Sequence, residues 1–345
     1  MNSSTIKWLD EIPKIELHLH LEGALPRWTL WDLVEKYGPD PLVTDLEMLD
    51  HVFEYRNFHD FLRVWFWKSQ YIRDYEDIEY VSAAVARDLA RQNFVYVEAF
   101  FSPARYVAEG MSLSKTIEAV RSGLSRVPEI EIGLVVDLVR DFGARNAVRT
   151  VHELTELQSL GVFGIGLGGS EHLVSAAKFK KAFKEARNRG FHTTAHAGEV
   201  AGPESIWGVV NKLDVDRIGH ATTAILDDRL LDVLGQRAIP LELCPGSNVK
   251  TGAVESIRSH PVRKYFDLGL PITINTDDPL MFGNSLAGEF RDLMENHGFS
   301  RIELRQLIIN SVMASWLPSA RKTALLANIT STPEWGSRQS DPAPS

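Results

Sequence analysis

Phe191-His192-Thr193-Thr194-Ala195-His196-Ala197-Gly198-Glu199 is the stretch on which the reading of this chain turns. Its first four residues are apolar or β-branched, as in a short strand. At the strand's end stand a histidine and, three positions on, a glutamate. Residues 174–189 before it have helical periodicity, and Gly190 stops that helix. A helix, a glycine stop and a strand ending in ionisable residues form half of a βαβ unit. A histidine there can hold a metal and the glutamate can handle protons, provided other strands bring ligands to the same point.

Outward from this stretch the same unit recurs. In Lys14-Ile15-Glu16-Leu17-His18-Leu19-His20 the apolar residues alternate, so His18 and His20 share one face of a strand. Further strands are expected at 95–101, 132–139 and 162–167 before the stretch, and at 216–220, 239–243 and 271–276 after it. Helical patterns separate them. Eight alternating units predict an α/β fold, a parallel (β/α)8 TIM barrel, with extra helices between strands 1 and 2 and at the C-terminus. An open doubly wound sheet is the other arrangement of this kind, but no Gly-x-Gly-x-x-Gly follows the first strand. One barrel domain is expected over 1–330, and a disordered tail rich in Pro and Ser over 331–345.

Composition narrows the function. With 37 Lys plus Arg against 46 Asp plus Glu, a formal charge of -9 and no dense basic stripe, nucleic acid and anionic membranes are excluded as expected partners. Cys244 is the sole cysteine, so no intrachain disulfide forms. The first 13 residues lack the apolar run of a signal peptide, and no stretch has the roughly 20 apolar residues of a membrane span, which favours the cytoplasm.

Residues 46–74 insert an aromatic-rich segment between the first two strands. Within it Phe58, Phe61, Leu62 and Trp65 fall on one helical face. That face either packs on the core or closes as a lid over a flat ligand.

In a barrel of this class the site lies at the C-terminal ends of the strands. Those ends carry His18, His20, His196, His220, Asp277 and Asp278. Any one of them alone is better read as a satisfied core histidine, a turn or a cap. Together they are expected to converge. The other histidines considered (51, 59, 152, 172, 260 and 297) are read as structural. Three imidazoles and a carboxylate with an open position suit one catalytic Zn2+, held by His18, His20, His196 and Asp277. A second metal needs a bridging ligand, commonly a modified lysine, and the fourth strand ends in Gly166-Leu167-Gly168-Gly169. Zinc brings the pKa of bound water toward ~7. His220 is the expected orienting base and Glu199 the expected acid.

Glu16-Leu17-His18-Leu19-His20-Leu21-Glu22-Gly23, His196-Ala197-Gly198-Glu199, Arg217-Ile218-Gly219-His220, Leu243-Cys244-Pro245-Gly246-Ser247-Asn248 and Asn275-Thr276-Asp277-Asp278-Pro279 together resemble the adenosine deaminase family, in the family's order, over about residues 10 to 325. The resemblance implies a small-molecule purine nucleoside as substrate. Glu199 would protonate N1 while hydroxide adds to C6, Asp278 would hydrogen-bond N7, Gly169 would offer its N–H to N3, and Glu22 would lie near the sugar's 5′ end. The chain departs from familiar adenosine enzymes at Glu22, where they have aspartate, at Gly166, where aspartate is usual, and at Glu98-Ala99-Phe100-Phe101-Ser102-Pro103, where arginine is usual. The first expectation is an adenosine or 2′-deoxyadenosine deaminase. The alternatives are a deaminase of a 5′-modified adenine nucleoside such as aminodeoxyfutalosine, and then an adenine deaminase, against which Thr276 stands where serine is usual. AMP is disfavoured because Glu22 would repel its phosphate. From other classes come a metal-dependent ester or phosphoester hydrolase and a catalytically dead nucleoside binder.

Overall fold

The computed structural model describes residues 1–336 other than Pro39, Leu42 and Arg56. Eight strands pair in chain order, each parallel to the next: β1 (Lys14–His20), β2 (Phe94–Phe101), β3 (Glu131–Asp137), β4 (Val162–Gly166), β5 (His192–Ala197), β6 (Arg217–His220), β7 (Leu241–Leu243) and β8 (Ile272–Ile274). Helices connect them, as parallel pairing requires. Beyond β8 the chain turns back onto β1. A parallel bridge joins Leu19 to Asp277. The Asp277 N–H donates to the His18 carbonyl at 3.1 Å and the His20 N–H to the Asp277 carbonyl at 2.8 Å. The expected TIM barrel is thus the observed one, with the extra helices in the expected places.

The last two strands start later than their hydrophobic patterns suggest. Pro240 and Pro271 have no N–H to give a ladder, so β7 and β8 begin one residue after each. The N-terminal segment, unassigned from sequence, forms a helix, Ser3–Glu11, that is capped by Asn2 and buries Trp8 and Leu9. Trp8 Nε1 donates to the Glu334 carbonyl at 2.9 Å. Glu334 belongs to a helical turn, Pro333–Gly336, and Trp335 packs against the core, so these residues are ordered where the sequence suggested a disordered tail from 331. Residues 337–345 of that expected tail lie outside the described residues.

The insertion between β1 and β2 contains the helices Leu46–Val52 and Phe58–Ser69. Asn57 caps the second by accepting from the Asp60 N–H. Its Phe61 and Val64 form a separate apolar cluster with Met281 and Phe282, with the Phe61 and Phe282 rings stacked 5.2 Å apart. This helix therefore packs on the segment that follows β8, over the mouth of the barrel. Among the described residues no helix is long and apolar enough to cross a membrane.

Candidate active site

Strand alternation points His18 and His20 to the same side of β1, and β5 and the β8 end deliver His196 and Asp277 to meet them. The Nε2 atoms of His18 and His196 are 2.8 Å apart. Asp277 Oδ1 lies 3.5 Å from His18 Nε2 and 3.3 Å from His20 Nε2. All four residues are buried. His18 Nδ1 donates to Glu242 Oε2 at 2.8 Å, which turns its Nε2 toward the cluster.

Burial pushes His20 down to about 3. His196 is driven well below the usual range by burial, with the neighbouring imidazoles adding to it. Burial also acts against a charged His18, but the Asp277 and Glu242 carboxylates outweigh it and carry His18 up to about 10. Asp277 feels burial in the opposite sense, and its His18 contact and the surrounding imidazoles hold it well below the carboxylate range. Lone-pair nitrogens packed round an ionised carboxylate are the donor set that a divalent metal compensates, with loss of the His18 proton on binding. The four residues fit such an ion.

Sequence reasoning did not identify what holds these ligands. Glu242, flanked by leucines in β7, accepts from His18 and Thr194 and pairs with Arg217 Nε at 2.5 Å. Arg217 Nη1 in turn meets Glu98 Oε2 at 2.6 Å, so a buried chain of charges runs across the barrel beneath the ligands. Ser247 Oγ donates to Asp277 Oδ2 at 2.6 Å. The signal available in the sequence was a charged residue within an otherwise apolar strand, which burial permits only when the charge is paired.

Gly166, one of the unusual positions, is explained by Phe100. A Cβ at Gly166 would come 2.5 Å from Phe100 Cε1. The Phe100 ring packs 4.7 Å from His18 and 5.0 Å from His20, so this aromatic fills the space that a larger residue at position 166 would need.

Glu199 lies beside the cluster. Burial, then Asp277 and Glu171, push its carboxyl well above the ordinary range. Its loop hangs on Glu171, whose carboxylate accepts the N–H groups of Gly198, Glu199, Val200 and Ala201 at 2.5 to 3.3 Å. His220 Nε2 is 3.6 Å from Glu199 Oε2, beyond hydrogen-bond reach. Burial pushes His220 down to about 4, so it is neutral. Asp278 is likewise raised well above its usual value by burial and by Asp277. Gly23 makes room for it, since a Cβ there would sit 1.7 Å from Asp278 Oδ1.

These groups open into a cleft of about 790 Å3. Its walls include His20, His196, Glu199, His220, Asp277, Asp278 and Gly169, and on another side Phe58, Phe61, Leu62 and Trp65. The insertion helix thus packs on the protein and lines the cleft at once. Glu22 is buried behind one wall. It does not line the cleft: its Oε1 accepts the Ser102 N–H at 2.9 Å, and burial raises its carboxyl to about 7. Buried Lys68, which donates to the Glu22 carbonyl at 2.7 Å, lies nearby. Glu22 thus lies directly behind Ser102, which does line the cleft. Thr276 does not line it either, because its N–H and hydroxyl both go to Glu16.

The profile of the adenosine deaminase family matches residues 13–332. The chain is 34% identical over 331 residues to an aminodeoxyfutalosine deaminase of Streptomyces coelicolor, covering 94% of this chain and 85% of that one. It is 32% identical over 310 residues to an adenine deaminase of Ectopseudomonas mendocina, covering 89% and 98%. Among solved structures it resembles an amidohydrolase from Burkholderia ambifaria with bound Zn, at 26% identity and a TM-score of 0.88 over 96% of this chain and 93% of that one. The chain belongs to the adenosine deaminase family and is a hydrolytic deaminase of an adenine-containing substrate.

Proposed function

We propose that this enzyme deaminates a 6-aminopurine nucleoside extended at its 5′ end, of the aminodeoxyfutalosine kind, in preference to adenosine. The observation that carries this reading is that Phe66, Phe142 and Arg105 line the same cleft as the groups around Asp277. Arg105 is the one Lys or Arg among the described residues lining the cleft. Its Nε pairs with Glu109 Oε1 at 3.1 Å, while its buried Nη1 has no hydrogen-bond partner. Aromatic walls together with a guanidinium suit an apolar extension that carries an anion. The similarity to the Streptomyces coelicolor enzyme over nearly the whole chain agrees with this reading.

The chemistry follows from protonation states. Zn2+ held by His18, His20, His196 and Asp277 would supply an activated water as nucleophile for C6. N1, N3 and N7 of a purine are acceptors, so each needs a donor. Glu199, kept protonated by burial, gives its proton to N1. Asp278, also kept protonated, donates to N7, and the Gly169 N–H donates to N3. His220 holds the attacking water. The added hydroxyl then gives its proton to the amino group, and departure of ammonia leaves the 6-oxopurine.

The test is ammonia release from adenosine, 2′-deoxyadenosine, adenine, AMP and aminodeoxyfutalosine by the zinc-loaded protein. The 5′-extended nucleoside should have the highest kcat/KM. A preference for adenosine or adenine would refute the extension, and no turnover of any of the five would refute the purine.

A further inference from the structure

His260 was read from sequence as structural, yet it ends a buried chain of hydrogen bonds that begins at His220. The Val262 N–H donates to His260 Nδ1 at 3.2 Å, so that nitrogen is an acceptor and carries no proton. A neutral imidazole then has its proton on Nε2, and burial pushes His260 down to about 3, which keeps it neutral. His260 Nε2 faces an Asn248 side-chain atom at 3.3 Å, which must therefore be the oxygen. The amide nitrogen of Asn248 is left to meet His220 Nδ1, at 3.0 Å, and it can only donate. His220 Nδ1 is thus an acceptor as well. Its single proton sits on Nε2, the nitrogen turned toward Glu199 and the cleft.

Every orientation in this chain follows from one backbone N–H, which cannot change its role. We propose that His260 is a positioning residue which, through Asn248, locks His220 in the Nε2–H tautomer, so that His220 donates to the attacking water and does not take a proton from it. All three side chains are buried, so bulk water does not compete for these bonds. Asn248 and Ser247 are adjacent on the short helix Pro245–Lys250, which therefore fixes His220 through one residue and Asp277 through the next. The tautomer rests on the structure alone, and its catalytic consequence rests on the role proposed for His220 above.

The two parts separate in one set of measurements. The 15N shifts of histidine-labelled, zinc-loaded protein distinguish protonated from bare ring nitrogens, and the His220 signals are assigned by their loss in His220→Gln. Wild type should show a protonated Nε2 and a bare Nδ1. Asn248→Asp puts an acceptor against Nδ1 and should reverse that pattern. It should also lower kcat by roughly 100-fold, the scale of a misplaced proton-transfer group, with KM changed far less. His260→Ala should give mixed tautomers and an intermediate loss. In His260→Gln an amide N–H takes the place of Nε2–H, and it should restore both the pattern and most of kcat. An unchanged His220 pattern in Asn248→Asp and His260→Ala overturns the relay, as does damage by His260→Gln equal to that by His260→Ala. A reversed pattern with full kcat would keep the tautomer lock, overturn its catalytic consequence, and count against the role of His220 in deamination.

Discussion

The Asp277 N–H donates to the His18 carbonyl at 3.1 Å, so the contact that brings the end of the β8 segment onto β1 joins two residues of the proposed metal set. Closing the barrel and assembling the ligands are the same event. A metal that binds only the closed form must then stabilise it, by RT ln(1 + [L]/Kd), or about 4 kcal/mol at a thousandfold excess over Kd. Removing metal with a chelator should lower Tm by several degrees, and adding Zn2+ back should restore it. Equal melting curves with and without metal would contradict this coupling.

Glu242 touches no cleft atom but sets the protonation of His18 through the 2.8 Å contact to Nδ1. Glu242→Gln keeps the shape and removes the charge that opposes Arg217. Loss of an outer partner of this kind typically costs about 10- to 100-fold in metal affinity. Competition with a chromophoric chelator measures it, and an unchanged affinity would show that the carboxylate is dispensable.

Glu199→Gln keeps a polar group of the same size but removes the transferable proton. Metal content should be unchanged while kcat falls by roughly 100- to 10,000-fold. Because burial raises the Glu199 carboxyl well above its ordinary value, activity in the wild type should persist as pH rises past the usual carboxylate range. It should then fall on the alkaline side as the proton is lost. Near-normal turnover in the variant would remove Glu199 from the acid role.

Glu289 is buried and accepts from the Gly246 N–H at 3.0 Å and from Asn284 at 2.7 Å. Burial raises its carboxyl from 4.5 to about 7, against these hydrogen bonds. A pKa higher in the folded than in the unfolded state means that the folded protein binds the proton more tightly. Its contribution to stability is therefore complete below about 4.5 and is lost as pH rises through about 7. Glu289→Gln should flatten the fall in Tm between those limits. Parallel Tm profiles for wild type and variant would contradict the shift.

The eight-strand order and the convergence of His18, His20, His196, Asp277, Glu199 and His220 were legible because they depend on local periodicity and on position at strand ends. Alternation in Lys14–His20 places two imidazoles on one face whatever the rest of the chain does. The aromatic face of Phe58–Ser69 was legible too, although periodicity could not tell packing from lining, and it does both. The N-terminal helix and the turn Pro333–Gly336 were not legible, since each is short and owes its order to a partner hundreds of residues away.

Sequence by itself determined the fold class and the types of donor at the site, which are set by residue identity and spacing, and the reaction family through its resemblance to known deaminases. Tertiary structure decided which charges face the cleft. Glu22 turned out to be tied to Ser102, whereas Arg105 lines the wall. It also decided where protons sit, because the state of His220 depends on Asn248, His260 and one backbone N–H, and burial raises the Glu199 carboxyl. Proton placement depends on desolvation and on which donor meets which acceptor, and both arise only when segments far apart in the chain pack together.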